Sequence, residues 1–170
     1  MLSTALAGLT RHEEATCEVS APPAVVFEHI DHPERLSAHM ARKSWQMGGA
    51  TMSIQTDAEA GRAPGSHVWL RGQMLGIQLE VECVVVKRVP PAFKEWETVG
   101  TPRLLVIGPY RMSVRIVPRN GGSTVTIAID YAMPNRPWER FIAIALAPMY
   151  ARWCVQQMAR DLGAIRSFQQ

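Results

Sequence analysis

Three histidines fall within eleven residues, His29, His32 and His39, in company with Asp31 and Glu34. His29 and His32 are spaced i, i+3, which puts two imidazoles on one helical edge, the start of a metal site. A tetrahedral or open catalytic site needs a second ligand pair, and no later stretch offers one at a recognisable spacing. The group therefore reads as rim and cap residues, with no metal and no other cofactor required. Acid or base chemistry instead needs a titratable group inside an apolar pocket, where burial shifts its pKa. Tyr110, Tyr131 and Cys83 meet that condition, because each alternates in phase with apolar neighbours, and Arg152 follows Pro148 on a helix from which it can reach inward. Tyr110, Tyr131 and Arg152 are thus the catalytic candidates. Their structural counterparts are a buried tyrosine with one backbone partner, a cysteine filling a small apolar gap and an arginine snorkelling to water. A phosphate cradle is excluded: the glycines of "RNGGST" lie between two strands and make a hairpin turn.

The elements that carry these residues follow from periodicity. "ATCEVS" alternates as a strand with one wet face, and Pro22 and Pro23 end it, since proline cannot donate to a sheet ladder but suits a first helical turn. "PPAVVFEHI" is then a short helix with Val26, Phe27 and Ile30 inward. Asp31 with Glu34 three residues on resembles a capping box, so "DHPERLSAHM" restarts as a second short helix. From Ser44 to Pro134 the pattern is strand and turn. Ile77, Leu79, Val81, Cys83 and Val85 share one face; so do Tyr110, Met112, Val114 and Ile116; so do Val125, Ile127, Ile129, Tyr131 and Met133. Trp96 stands between two glutamates on a further strand. After Met133 one long helix is expected over about 137–167, with Ala151, Val155, Met158, Leu162 and Ile165 as its inner stripe and Pro148 interrupting its middle.

Composition bounds what such a chain does. Its 170 residues suffice for one domain, 1–170, with residues 1–10 a loose N-terminal segment. The net charge is only +3, and Lys and Arg are scattered singly, which argues against a nucleic-acid partner. Three distant cysteines, Cys17, Cys83 and Cys154, form neither a disulfide framework nor a zinc knuckle and fit a reducing cytoplasm. "MLSTALAGL" lacks a basic leader, and the longest apolar run, Phe141 to Ala151, is about half of the roughly 20 residues a membrane span needs.

The order of these elements, with "VSAPPAVVFEHIDHPERL" at the front and "VPPAFKEWE", "YRMSVRIVPRNGGSTVTIAIDY" and the closing helix behind, resembles the START-like (SRPBCC) superfamily, in particular its polyketide cyclase/dehydrase and lipid-transport branch. The resemblance spans nearly the whole chain but contains no catalytic signature. It implies an α+β helix-grip fold: a curved antiparallel sheet of about six or seven strands wrapped around the C-terminal helix, with two short helices after the first strand and an internal cavity for an apolar ligand. Physics leads the same way, since one helix about 10 Å wide cannot cover six or seven strands and the sheet must curl. The inward faces give Cys83, Trp96, Tyr110, Met112, Val114, Ile127, Ile129, Tyr131, Met149 and Trp153 as the ligand-binding set, with methionines suited to an adaptable wall. The expected function is binding or transport of a small hydrophobic molecule: a lipid, quinone or polyketide-like compound. The alternatives are a cyclase or dehydratase acting in the same cavity, and a protein-interaction module using the basic helix end, Arg160 and Arg166.

Overall fold

The structure, a computed structural model, describes residues 8–36, 51–74, 77–104, 106–134 and 137–165. In chain order the elements are β1 (Arg11–Val19), α1 (Pro23–Asp31), α2 (Pro33–Leu36), β2 (Thr51–Thr56), β3 (His67–Met74), β4 (Ile77–Val89), β5 (Phe93–Thr98), β6 (Tyr110–Arg119), β7 (Gly122–Tyr131) and α3 (Pro137–Gly163). The strands form one seven-stranded sheet in the order β1-β7-β6-β5-β4-β3-β2, every neighbouring pair antiparallel. The sheet is curved and holds the long helix on one face, the helix-grip arrangement the sequence implies.

Alternation decides which face is dry. Leu79, Val81, Cys83 and Val85 on β4, Tyr110, Met112, Val114 and Ile116 on β6, and Val125, Ile127, Ile129 and Tyr131 on β7 are all buried. The opposite face carries cross-strand polar pairs: Arg71 with Glu80, His67 with Glu82, Arg111 with Glu97 and His12 with Asp130. β1 begins four residues before the clean alternation of "ATCEVS". Arg11 to Glu14 are held by pairing to β7, from Arg11 opposite Tyr131 onward, rather than by burial.

Pro23 opens α1, and Val26, Phe27 and Ile30 are buried beneath it as the sequence implies. The capping-box reading of Asp31 is corrected. Asp31 is the last residue of α1, and its carboxylate faces inward to Arg88 and Lys94 instead of capping α2. Charge pairing across 57 and 63 residues prevails over a local cap because a buried carboxylate needs a cation more than a helix of four residues needs a cap.

The inner stripe of α3 changes along its length. Ala143, Ala147 and Ala151 come first, then Val155, Met158 and Leu162, all buried. Alanines let the first half approach the sheet closely, and α3 packs on β1 and β7, at one side of the sheet. Pro148 lies inside the helix, which continues through it to Gly163. Gly122, at the start of β7, permits another close approach: a Cβ there would collide with the Val19 carbonyl oxygen.

Candidate functional site

α3 packs chiefly on β1 and β7, and among the described residues no helix makes a comparable contact with β3, β4 and β5, where a cavity opens. Its floor is Val68 and Leu70 on β3, Val81, Cys83 and Val85 on β4, and Met112 and Ile129 further along. Tyr150, Cys154 and Met158 supply the helix side, and Leu104 and Ile107 reach in from the β5–β6 connection. The cavity volume is ≈ 100 Å³, on a measure where a single enclosed water takes roughly 10–15 Å³. The empty space between the lining atoms, open mouth included, is ≈ 920 Å³.

One wall is charged by register. Lys94, Trp96 and Thr98 share the inner face of β5, and a bulge between Val85 and Lys87 sets Val85 opposite Trp96 and Arg88 opposite Lys94. The Lys94 side chain is 4% exposed. Its ammonium donates to Asp31 Oδ1 at 2.9 Å, to the Asp31 carbonyl at 3.2 Å and to the Gly61 carbonyl at 2.9 Å, so all three donors are engaged. Arg88 donates to the same carboxylate at 2.8 Å. Burial pushes the Asp31 pKa up, but hydrogen bonds from Arg88 and Lys94 outweigh it and hold the carboxyl below its ordinary value. Burial draws Lys94 below a free lysine, opposed by its bond to Asp31. Gly61 has φ +66°, and a Cβ there would press on Pro33 and Val68 at 2.7 Å, so this knot is built on a residue only glycine suits.

The other polar feature is neutral. Cys83 Sγ lies 3.3 Å from Tyr110 Oη, and Tyr150 and Cys154, one turn apart on α3, line the same cavity. Burial raises the Cys83 and Cys154 thiols to about 12. Tyr110 is raised well above an ordinary phenol by burial and then by Cys83, and Tyr150 by its neighbour Cys154 and then by burial. Thr98 braces the start of β6: the Tyr110 backbone N–H donates to Thr98 Oγ1 at 3.1 Å.

Of the ligand-binding set expected from sequence, Cys83, Trp96, Tyr110, Met112 and Ile129 converge on the cavity. Val114, Ile127 and Tyr131 are buried in the packed core and are not on its wall. Met149 is 63% exposed on the outside of α3. Trp153 is half-buried and stacks on Tyr150 at 6.2 Å between ring centres, behind the wall. Among the catalytic candidates only Tyr110 lines the cavity. Arg152 points outward to Glu13, its Nε donating at 3.1 Å, because the turn after Pro148 presents it over β1. His29 and His32 stand at the end of α1, Asp31 between them is occupied by its cations, and His39 lies outside the described residues. No cluster of three potential metal ligands occurs among the described residues. Arg160 bonds Gln157 on its own helix, and Arg166 lies outside the described residues.

Sequence reasoning missed Lys94, the connection residues Leu104 and Ile107, and the cavity role of Tyr150, Cys154 and Met158. The last three were findable: at i, i+4 and i+8 they form a second helical stripe, one position before Ala151, Val155 and Ala159.

No helix of the described residues is long and apolar enough to cross a membrane. No curated protein sequence matches the chain. Among solved structures it is similar to TTHA0849 from Thermus thermophilus, with TM-score 0.67 and 13% identity over 90% of this chain and 94% of that one. It is also similar to ginseng major latex-like protein 151 from Panax ginseng, with TM-score 0.58 and 16% identity over 92% and 97%. The di-domain ARO/CYC BexL of the BE-7585A biosynthetic pathway aligns with TM-score 0.58 and 16% identity, over 93% of this chain and 51% of that protein. At such identities these likenesses speak for the shared fold. The family model described as polyketide cyclase/dehydrase and lipid transport matches residues 10–165, and with nearly every element of the helix-grip inside that span, the chain belongs to this family.

Proposed function

We propose that this chain binds a small, predominantly apolar molecule in the cavity between the sheet and α3. The observation that carries the reading is the cavity itself, bounded by aliphatic, methionine and aromatic side chains, with Lys94, the charged residue among its described lining, already neutralised by Asp31. Room on the scale of several waters suits a two-ring compound or a medium acyl chain. Burying about 250 Å² of such a ligand at roughly 25 cal/mol per Å² gives about 6 kcal/mol before association costs, which supports binding in the micromolar to millimolar range. Three free cysteines, two of them buried, fit a reducing, cytoplasmic setting.

Native mass spectrometry of the purified protein tests this directly. The wild type carries a noncovalent mass, and Met112→Trp, which fills the cavity from β6, loses it while keeping its circular dichroism. A wild type that carries nothing and takes up neither naphthalenes nor medium-chain fatty acids overturns the reading.

A second reading, a cyclase or dehydratase, is favoured by the phenols and thiols on the cavity wall, since O–H donors there can polarise a carbonyl. It differs in predicting turnover of a poly-β-ketone substrate that Tyr110→Phe abolishes.

A further inference from the structure

The cavity wall has one neutral polar cluster. Cys83, Tyr110, Tyr150 and Cys154 all line the cavity. Cys83 and Tyr110 form a thiol–hydroxyl pair at 3.3 Å, and Tyr150 and Cys154 bring a second phenol and thiol to the same wall from α3, near enough to raise the Tyr110 phenol further. Tyr110 is 9% exposed, and its hydroxyl's partner is the Cys83 sulfur. Sulfur is a feeble hydrogen-bond partner in either direction. A buried hydroxyl without a good acceptor is costly, so the Tyr110 phenol stands short of the bonds it can make. Lys94 does not help, because its three donors are held by Asp31 and Gly61.

Taking the cavity as a binding site, we propose that this cluster is its polar anchor and selects an uncharged carbonyl oxygen, of the ketone or quinone type, on an otherwise apolar ring or chain. With such a ligand the thiol S–H donates to the phenol Oη and the phenol O–H donates to the carbonyl, so every proton in the cluster has an oxygen acceptor. A ligand that only donates leaves the phenol proton on sulfur. A carboxylate brings a charge beside groups that burial keeps neutral, with the wall's cation already paired. Tyr110 is the principal donor and Tyr150 the second.

The test is a calorimetric titration with two near-isosteric probes, 2-acetylnaphthalene and 2-ethylnaphthalene. The wild type binds the ketone about tenfold more tightly, the size of one well-made hydrogen bond to each of one or two donors. Tyr110→Phe cuts that advantage to about threefold or less, with Tyr150→Phe making a smaller cut. The bound ketone's infrared carbonyl stretch moves to lower frequency in the wild type and moves back in Tyr110→Phe. Equal binding of the two probes by the wild type overturns the proposal while leaving the cavity as a binding site, and this comparison needs no variant to fold. A ketone advantage that survives both substitutions overturns it too. If neither probe binds, the proposal is overturned, while the reading of the cavity stands or falls separately on the mass-spectrometric test.

Discussion

The two halves of the sheet are built from the same alternating strands yet end in opposite states. Over β1 and β7, alanines at 143, 147 and 151 bring α3 down onto the sheet, and Val125 and Ile127 beneath are sealed from solvent. Over β3, β4 and β5 no helix makes a comparable contact among the described residues, and Val68, Leu70, Val81 and Trp96 face a void. Small residues on the helix therefore create space at a distance: by letting the rod lean to one side, they leave the other side hollow. The packed half supplies stability and the hollow half supplies room, and one helix with a graded inner stripe serves both.

The largest expected break comes from the seam beside the hollow half. Asp31→Ala leaves Lys94 buried without its counter-charge, and removing one partner of a buried pair costs about 3–5 kcal/mol, read as a fall in the urea midpoint. The same carboxylate sets an acid limb. Its folded pKa lies below the unfolded value, so its contribution is complete above about pH 4 and is lost as pH falls through the folded value. Wild-type stability therefore drops on acidification below about pH 4 more steeply than that of Asp31→Ala, and parallel limbs would show that Asp31 is not the group responsible.

Enlarging one side chain in each half sharpens the contrast. Ala147→Leu has to push α3 off β1 and β7 and loses about 1–3 kcal/mol, whereas Val81→Leu grows into the void and loses less than about 1 kcal/mol. Equal losses in denaturant melts would mean that the two halves are equally tight. The smallest effect belongs to the outside of the helix. Met149→Arg changes stability by no more than about 0.5 kcal/mol and leaves the mass spectrum of any bound molecule unaltered, since the side chain already faces water. Loss of the ligand in this variant would put the entrance on that face of α3.

Much of this is legible because a strand's period of two is local. Cys83, Tyr110, Met112 and Ile129 are inward for a reason visible within five residues of each. Which inward residues meet a void and which meet the helix is not local. Val114 and Ile127 belong to the same dry faces as Met112 and Ile129, and only the lean of α3 separates them. An apolar helix half and a proline point Met149 and Arg152 inward, but the alanines claim that side. Phe141, 82% exposed, and Ile144 show how far apolar character can mislead about direction on this helix. Lys94 is hidden for the opposite reason: a lysine next to Glu95 looks solvated until β5 is paired with β4 and β6.

The ammonium that ties Asp31 to Gly61 has a mechanical meaning. It fastens the end of α1 and the β2–β3 loop to β5 at a single nitrogen, so separating them would strand a desolvated cation rather than merely loosen a few contacts. That side of the cavity is a rivet, fixed by charge where the rest of the wall is held by packing alone.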